Sequence, residues 1–206
     1  MENLAASGAE DREVALVLEE TDRLTNIVES LLDLSQVGAR TVTPAPVDVA
    51  AAARHRCDLW DPVFASLTVH APGAAWALAT AGLVDLVLDA LLDNASKYAA
   101  GAPVTVRVTQ DEEQVVLGVA DLGPGLDEED VAKVGARFFR GRRHQNVPGT
   151  GLGLAIVRAS VEGVGGSLRV ASGQAGGLRA DVVLVRVSGG AAGSSAPPPD
   201  AAPAVR

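Results

Sequence analysis

The 206-residue chain is long enough for one good-sized domain and an appendage, and with 48% hydrophobic but only 3% aromatic residues its core must be built from Val, Leu and Ala. A net charge of −9 argues against a nucleic-acid surface, which needs a basic footprint, and no apolar run approaches the roughly 18 residues of a membrane span. The single cysteine, Cys57, excludes an internal disulfide, and no basic-then-apolar leader follows Met1, so the expectation is a cytoplasmic protein.

Residues 1–10 are small and polar. Glu13 to Val37 reads as one long helix, with Val17, Leu24, Ile27, Leu31 and Leu34 at heptad a and d positions, Glu20 as a polar exception and charged flanks such as Glu19, Arg23 and Glu29. Such a stripe either lies on the domain or pairs with a second copy, giving a homodimer through Val17–Leu34. Gly38 to Pro46 is a linker, because Gly and two Pro end the helix. Val47 to Phe64 predicts a helix with Asp48 as N-cap, Leu67 to His70 and Trp76 to Ala79 short strands, and Leu83 to Ala99 a central helix. Pro103–Thr109 and Gln114–Asp121 alternate around a turn at Asp111–Glu113, which predicts a hairpin. Glu128–Ala136 and Leu152–Glu162 read as helices. Ser167–Ala171 and Leu178–Val187 read as closing strands joined at Gly173–Gly177. From Ser188 the composition of Gly, Ala, Ser and Pro predicts a disordered tail. The sum is an α/β two-layer sandwich, a mixed sheet covered by helices on one face and preceded by one long N-terminal helix. Its divisions fall at 1–40, 41–187 and 188–206.

Three stretches carry chemistry. In LVLDALLDNASKYAAG, Leu86 to Gly101, an apolar stripe of Leu88, Leu91, Leu92 and Ala95 leaves Asn94, Lys97 and Tyr98 together on another face. An amide oxygen, an ammonium and a phenol suit a Mg²⁺–nucleotide: Asn94 to ligate the metal, Lys97 to meet a phosphate, Tyr98 to pack beside the base. In DLGPGLDEED, Asp121 precedes Gly123 and Gly125; alone it reads as a turn residue, although glycines there let the backbone come close to a base. In GTGLGLAIV, Gly149, Thr150, Gly151, Leu152 and Gly153 expose amides at a helix start, a phosphate site without the Walker pattern. Between the two glycine stretches Arg140, Arg142 and Arg143 crowd a candidate lid in an otherwise acidic chain.

In this order and spacing the three stretches resemble the N, G1 and G2 boxes, and RFFRG (Arg137 to Gly141) the F box, of the catalytic, ATP-binding domain of sensor histidine kinases in the GHKL superfamily. TDRLTNIVESLLDLSQ is similar to the second helix of that family's dimerisation and phosphotransfer hairpin. The resemblance implies a histidine-kinase-like ATPase fold and ATP and Mg²⁺ as cofactors. By it, Asn94 is the metal ligand, Lys97 a phosphate contact and Tyr98 the adenine-side aromatic. Asp121 accepts the adenine amino group, and Arg140 steadies charge on the γ-phosphoryl group. It implies a histidine protein kinase, a phosphotransferase of a two-component system, whose phosphoryl group passes to a histidine and then to a response regulator receiver domain.

Two departures qualify this. Ala90 stands four residues before Asn94, where superfamily hydrolases and anti-sigma serine kinases commonly carry a general-base Glu; alanine takes no proton, and Asp89 and Asp93 point about 100° away on the helix. None of His55, His70 and His144 precedes an acidic residue as a phosphoacceptor should, so the acceptor is expected on a histidine-bearing helix, in cis in a longer chain or in trans, and this chain is not expected to phosphorylate itself. Milder departures are Leu122 for the usual Asn and LRADVVL for the usual Gly-Thr-x-Phe. The alternatives are a non-catalytic ATP-binding regulatory or interaction module and, less favoured, an anti-sigma-type serine kinase.

Overall fold

The computed structural model describes residues 43–136, 139, 141, 147, 150–173 and 176–188. The helix expected over Glu13–Val37 and the tail beyond residue 188 lie outside them. Strand β1 (Ala45–Asp48) leads into helix α1 (Val49–Trp60), then β2 (Leu67–His70), β3 (Trp76–Ala79) and helix α2 (Leu83–Tyr98). The hairpin β4 (Val104–Gln110) and β5 (Gln114–Asp121) follows, then the short α3 (Glu128–Val131), α4 (Gly153–Glu162), β6 (Ser167–Ser172) and β7 (Leu178–Val185).

The main sheet has the order β2-β4-β5-β7-β6, with β2 parallel to β4 and the remaining pairs antiparallel. It is the expected mixed sheet. Alternation decides which face is buried. Val104, Val106 and Val108 of β4, Val115, Leu117 and Val119 of β5, and Ala180, Val182 and Leu184 of β7 all enter one core with residues of α1, α2 and α4. The other face carries Arg107, Arg179 and Asp181. With so few aromatics, the core is closed by small residues: Ala50, Ala53, Ala77 and Ala79 are fully buried. Among the described residues no helix is long and apolar enough to cross a membrane.

Two elements differ from expectation. The stretch read as linker up to Pro46 runs into β1, which pairs antiparallel with β3 from Ala45↔Ala79 to Asp48↔Trp76. Pro44 and Pro46 read as breakers, yet among the described residues β1 pairs with β3 alone, and an edge strand tolerates a missing donor. The helix expected to Ala136 ends at Val131, and the chain continues in turns through Gly135, whose φ is +82°. Asp48 caps α1 as expected, accepting from the N–H groups of Ala50 (3.1 Å) and Ala51 (3.2 Å); it also accepts from Ala75 N–H (3.0 Å), tying the entry of β3 to the helix start.

Cys57 faces the core from α1 and is 2% exposed. Burial, with the Asp58 charge adding to it, pushes its thiol up to about 11 from an ordinary 9.0. The folded chain therefore holds the thiol proton more tightly than the unfolded chain. Its stabilising contribution is complete below pH 9 and is lost as pH rises toward 11, an expected loss of about 2–3 kcal/mol. Denaturation midpoints measured from pH 8 to 11 should show this slope in the native sequence and not in Cys57→Ala.

Candidate functional site

The site is built along one helix. The apolar stripe of α2 buries Leu88, Leu91, Leu92 and Ala95 against the sheet. That burial fixes the helix rotation and leaves Asn94 and Tyr98 half-buried and Lys97 exposed on another face. Lys97 Nζ donates to Asp93 Oδ2 at 2.6 Å, an i,i+4 pair with both partners solvent-exposed. Such pairs contribute only about 0.3–0.5 kcal/mol, so a phosphate of higher charge competes readily for the ammonium.

The C-terminal end of α2 meets the end of β5. Asp121 is the last residue of β5, and its Oδ1 accepts from Gly123 N–H at 2.8 Å and from Leu178 N–H at 3.3 Å. Gly123 is pressed onto Ala99, the residue after Tyr98: a Cβ at Gly123 would stand 2.5 Å from the Ala99 Cβ. Only glycine permits this approach, which brings the Asp121 carboxylate beside the end of α2. Gly125 continues the turn at φ +68°.

One turn before Asn94, α2 meets the start of α4. A Cβ at Gly153 would lie 3.9 Å from the Ala90 Cβ, in ordinary contact. The preceding turn is held by Thr150 Oγ1, which accepts from Leu152 N–H at 3.3 Å, while Gly151 takes φ +69° and Leu152 is fully buried. Among the described residues no side chain caps α4, and its first-turn amides have no intrahelical acceptor, so they offer donors and the positive end of the dipole to an anion.

Asn94, Lys97 and Tyr98 therefore lie between two fixed ends, an acceptor carboxylate at Ala99 and a donor-rich helix start at Ala90. Nine residues of helix separate these contacts, about 14 Å. Of the expected site residues, Asn94, Lys97, Tyr98, Asp121, Gly123, Gly125, Thr150, Gly151, Leu152 and Gly153 are placed around α2, whereas Arg140 and Gly149 lie outside the described residues, as do Arg142 and Arg143. Among the described residues no group of three or more His, Cys, Asp or Glu could hold a metal ion. The donor chemistry fits a metal held by the neutral Asn94 oxygen and by its ligand's own phosphates, as Mg²⁺ commonly is. His55 and His70 are exposed on α1 and β2.

Asp89, next to Ala90, is turned toward α1. It receives Arg56 Nε at 2.6 Å, a second bond from Arg56 Nη2, and Trp60 Nε1 at 2.9 Å. The bond to Asp89 raises the Arg56 pKa above its ordinary value. An acid so engaged is a strut between helices, not a base. Asp89→Ala is expected to destabilise the fold by about 1 kcal/mol and to leave nucleotide affinity within twofold of the native chain, measured by denaturation and by titration calorimetry. Neither this strut nor the contact of Gly177 and Leu178 with Asp121 is evident from the sequence, in which Gly177 reads only as a turn residue and Leu178 as the start of a strand. The glycine cluster at Gly173–Gly177 was the available signal.

A family model described as histidine kinase-, DNA gyrase B-, and HSP90-like ATPase matches residues 80–188. The chain is 32% identical over 195 residues to the sensor protein KdpD of Mycobacterium tuberculosis, covering 86% of this chain and 22% of KdpD. It is 36% identical over 172 residues to the histidine-protein kinase/phosphatase MprB of Mycobacterium tuberculosis, covering 78% of this chain and 32% of MprB. The chain thus spans between a fifth and a third of the length of these curated relatives. The solved structure of mycobacterial MprB superposes with a TM-score of 0.60 at 30% identity, over 69% of this chain and 98% of that one. Full-length ShkA, solved in complex with AMPPNP, superposes with a TM-score of 0.69 at 25% identity, over 88% of this chain and 40% of that one.

Proposed function

The chain belongs to the histidine kinase-, DNA gyrase B- and HSP90-like ATPase family, and we propose that it is the ATP- and Mg²⁺-binding catalytic module of a two-component histidine protein kinase. The observation that carries this reading is the order of groups along α2. The Asp121 carboxylate stands at one end for a base, the free amides of α4 at the other for phosphates, and Asn94 and Lys97 lie between them. In this reading Asp121 accepts the adenine amino group, Tyr98 packs beside the base, and Lys97 leaves Asp93 for a phosphate. Thr150, Gly151, Leu152 and Gly153 hold the triphosphate with Gly149, and Arg140 contacts the transferring group. Asn94 would hold Mg²⁺, which would supply neutralisation of the phosphate charge.

The phosphoryl acceptor is a histidine outside these 206 residues, on a helical hairpin in cis or in trans. Its neutral imidazole nitrogen attacks the γ-phosphorus as the bond to the β-phosphate oxygen breaks and ADP leaves. A neutral imidazole nitrogen is already nucleophilic, so Ala90 can stand where a water- or serine-activating base would be needed. A response regulator receiver domain takes the phosphoryl group next. Residues 41–187 form the ATP-binding domain, residues 1–40 contribute the second hairpin helix with Val17–Leu34 as its dimer seam, and the module works in the cytoplasm.

The test is incubation with γ-labelled ATP and Mg²⁺, with and without a histidine-bearing kinase hairpin. The expected result is bound ATP, no label on this chain, and acid-labile, base-stable label on the hairpin. Acid-labile label on this chain would make His55, His70 or His144 the acceptor. The second reading, a non-catalytic ATP-binding interaction module, is favoured by Ala90; ATP binding without transfer to any hairpin would select it.

A further inference from the structure

The geometry points to the β6–β7 turn, through Gly177 and the backbone N–H of Leu178, as a second determinant of base selectivity that acts by pinning the Asp121 carboxylate. This rests on the proposal above that Asp121 meets the amino group of the base.

Gly173 N–H donates to Gly177 O at 3.0 Å, which makes Gly173 and Gly177 a hydrogen-bonded pair. In an antiparallel ladder the next pair, Ser172 and Leu178, is then a non-hydrogen-bonded one, and its N–H groups turn away from each other. The Leu178 N–H therefore points across to β5, where it donates to Asp121 Oδ1 at 3.3 Å. Gly123 N–H donates to the same oxygen at 2.8 Å. Two backbone donors from separate segments hold Oδ1. Among the described residues Oδ2 accepts no hydrogen bond, and it is left to read a ligand.

The turn can approach only because residue 177 is glycine. Its φ is +76°, and a Cβ there would overlap the Asp121 carbonyl oxygen and stand 2.7 Å from Oδ1. Gly125 packs on the same unit, its own Cβ position 2.9 Å from Gly177 O. The side chains of Leu178 and Leu122 are apolar, so neither offers a polar group to a base. An amino group donates to Oδ2 of Asp121, whereas a carbonyl at the same place on the base repels it. A carboxylate held from one side only can swing away from a carbonyl, and discrimination then falls even though Asp121 is intact.

The experiment is equilibrium titration of the full chain with ATP and with ITP, in which the 6-amino group of adenine is replaced by a carbonyl and N1 carries a proton, in Mg²⁺. Two variants are compared, Gly177→Ala and Leu178→Pro. The second removes the N–H together with the leucine side chain, at the first residue of a strand where proline is tolerated and where that N–H is not part of the β6–β7 ladder. The expected result is an ATP-over-ITP preference reduced about tenfold in Leu178→Pro, with an unfolding midpoint within a few degrees of the native chain, and at least as much in Gly177→Ala. A merely structural role moves both affinities together and leaves their ratio alone. Folded Leu178→Pro with the native preference overturns the inference while leaving the ATP site standing. A native chain that binds both nucleotides equally overturns the role of Asp121 and this inference with it.

Discussion

Asn94→Ala is expected to abolish Mg²⁺-dependent ATP binding, lowering affinity by at least about 100-fold in the presence of the metal and far less in its absence. The half-buried amide sits one turn beyond Ala90, whose Cβ faces the start of α4, and one turn before Tyr98 and Ala99, where the Asp121 corner begins. It is thus the polar side chain midway between the anion-binding and base-binding ends. With no acidic metal cluster among the described residues, removing its oxygen leaves the ion only the phosphates and water on this side. The fold should not suffer. Asn94 is outside the buried stripe of α2, and alanine is a better helix former than asparagine by several tenths of a kcal/mol. The unfolding midpoint should hold or rise slightly. Calorimetric titrations with ATP, with and without Mg²⁺, check this, and unchanged affinity in a folded variant removes Asn94 from the site.

The readable parts of this chain were those where a local period coincides with a buried face. The β4–β5 hairpin was legible because Val104, Val106, Val108 and Val115, Leu117, Val119 alternate strictly around Asp111–Glu113, where Asp111 Oδ1 accepts from both Glu113 and Gln114 N–H. Helix α2 was legible because its apolar stripe runs without a break. Strand β1 was not, because its proline content argues for a break and only its pairing with β3 makes it a strand. Residue types and spacing picked out Asn94, Lys97, Tyr98 and Asp121 as candidates. They could not reveal that Lys97 lies on Asp93 or that Asp89 braces α1, since each depends on which way one side chain turns. The contact between Gly177 and Asp121 was further out of reach. It joins residues more than fifty apart, and its signal in the sequence is a glycine like any other turn glycine.

Asp121→Asn is expected to reverse base preference rather than abolish binding. Two N–H donors, from Gly123 and Leu178, face one oxygen of the present carboxylate. An asparagine at 121 is nearly isosteric, and it satisfies those donors only by placing its carbonyl oxygen where Oδ1 now stands. The opposite orientation would set an NH₂ group against two N–H groups and leave all of them unpaired, which costs on the order of 1–3 kcal/mol for each stranded group. The amide nitrogen is therefore forced into the place of Oδ2, toward the base. There it is a donor where the native chain has an acceptor. An adenine amino group then meets another donor, while a carbonyl at the same position, as in GTP or ITP, gains a partner. A site that hydrogen-bonds one such group rejects its counterpart strongly, so the ATP-over-GTP ratio should fall by about 100-fold or more, with the loss in ATP affinity larger than any gain in GTP. Since Asp121 makes no ion pair among the described residues, the neutral side chain should shift the unfolding midpoint by only a few degrees. Competition titrations of a labelled nucleotide against ATP, GTP and ITP read the ratio directly. A folded variant with the native ratio would return Asp121 to the role of a plain turn residue, because no rearrangement of a pinned amide can present the same acceptor that the carboxylate does.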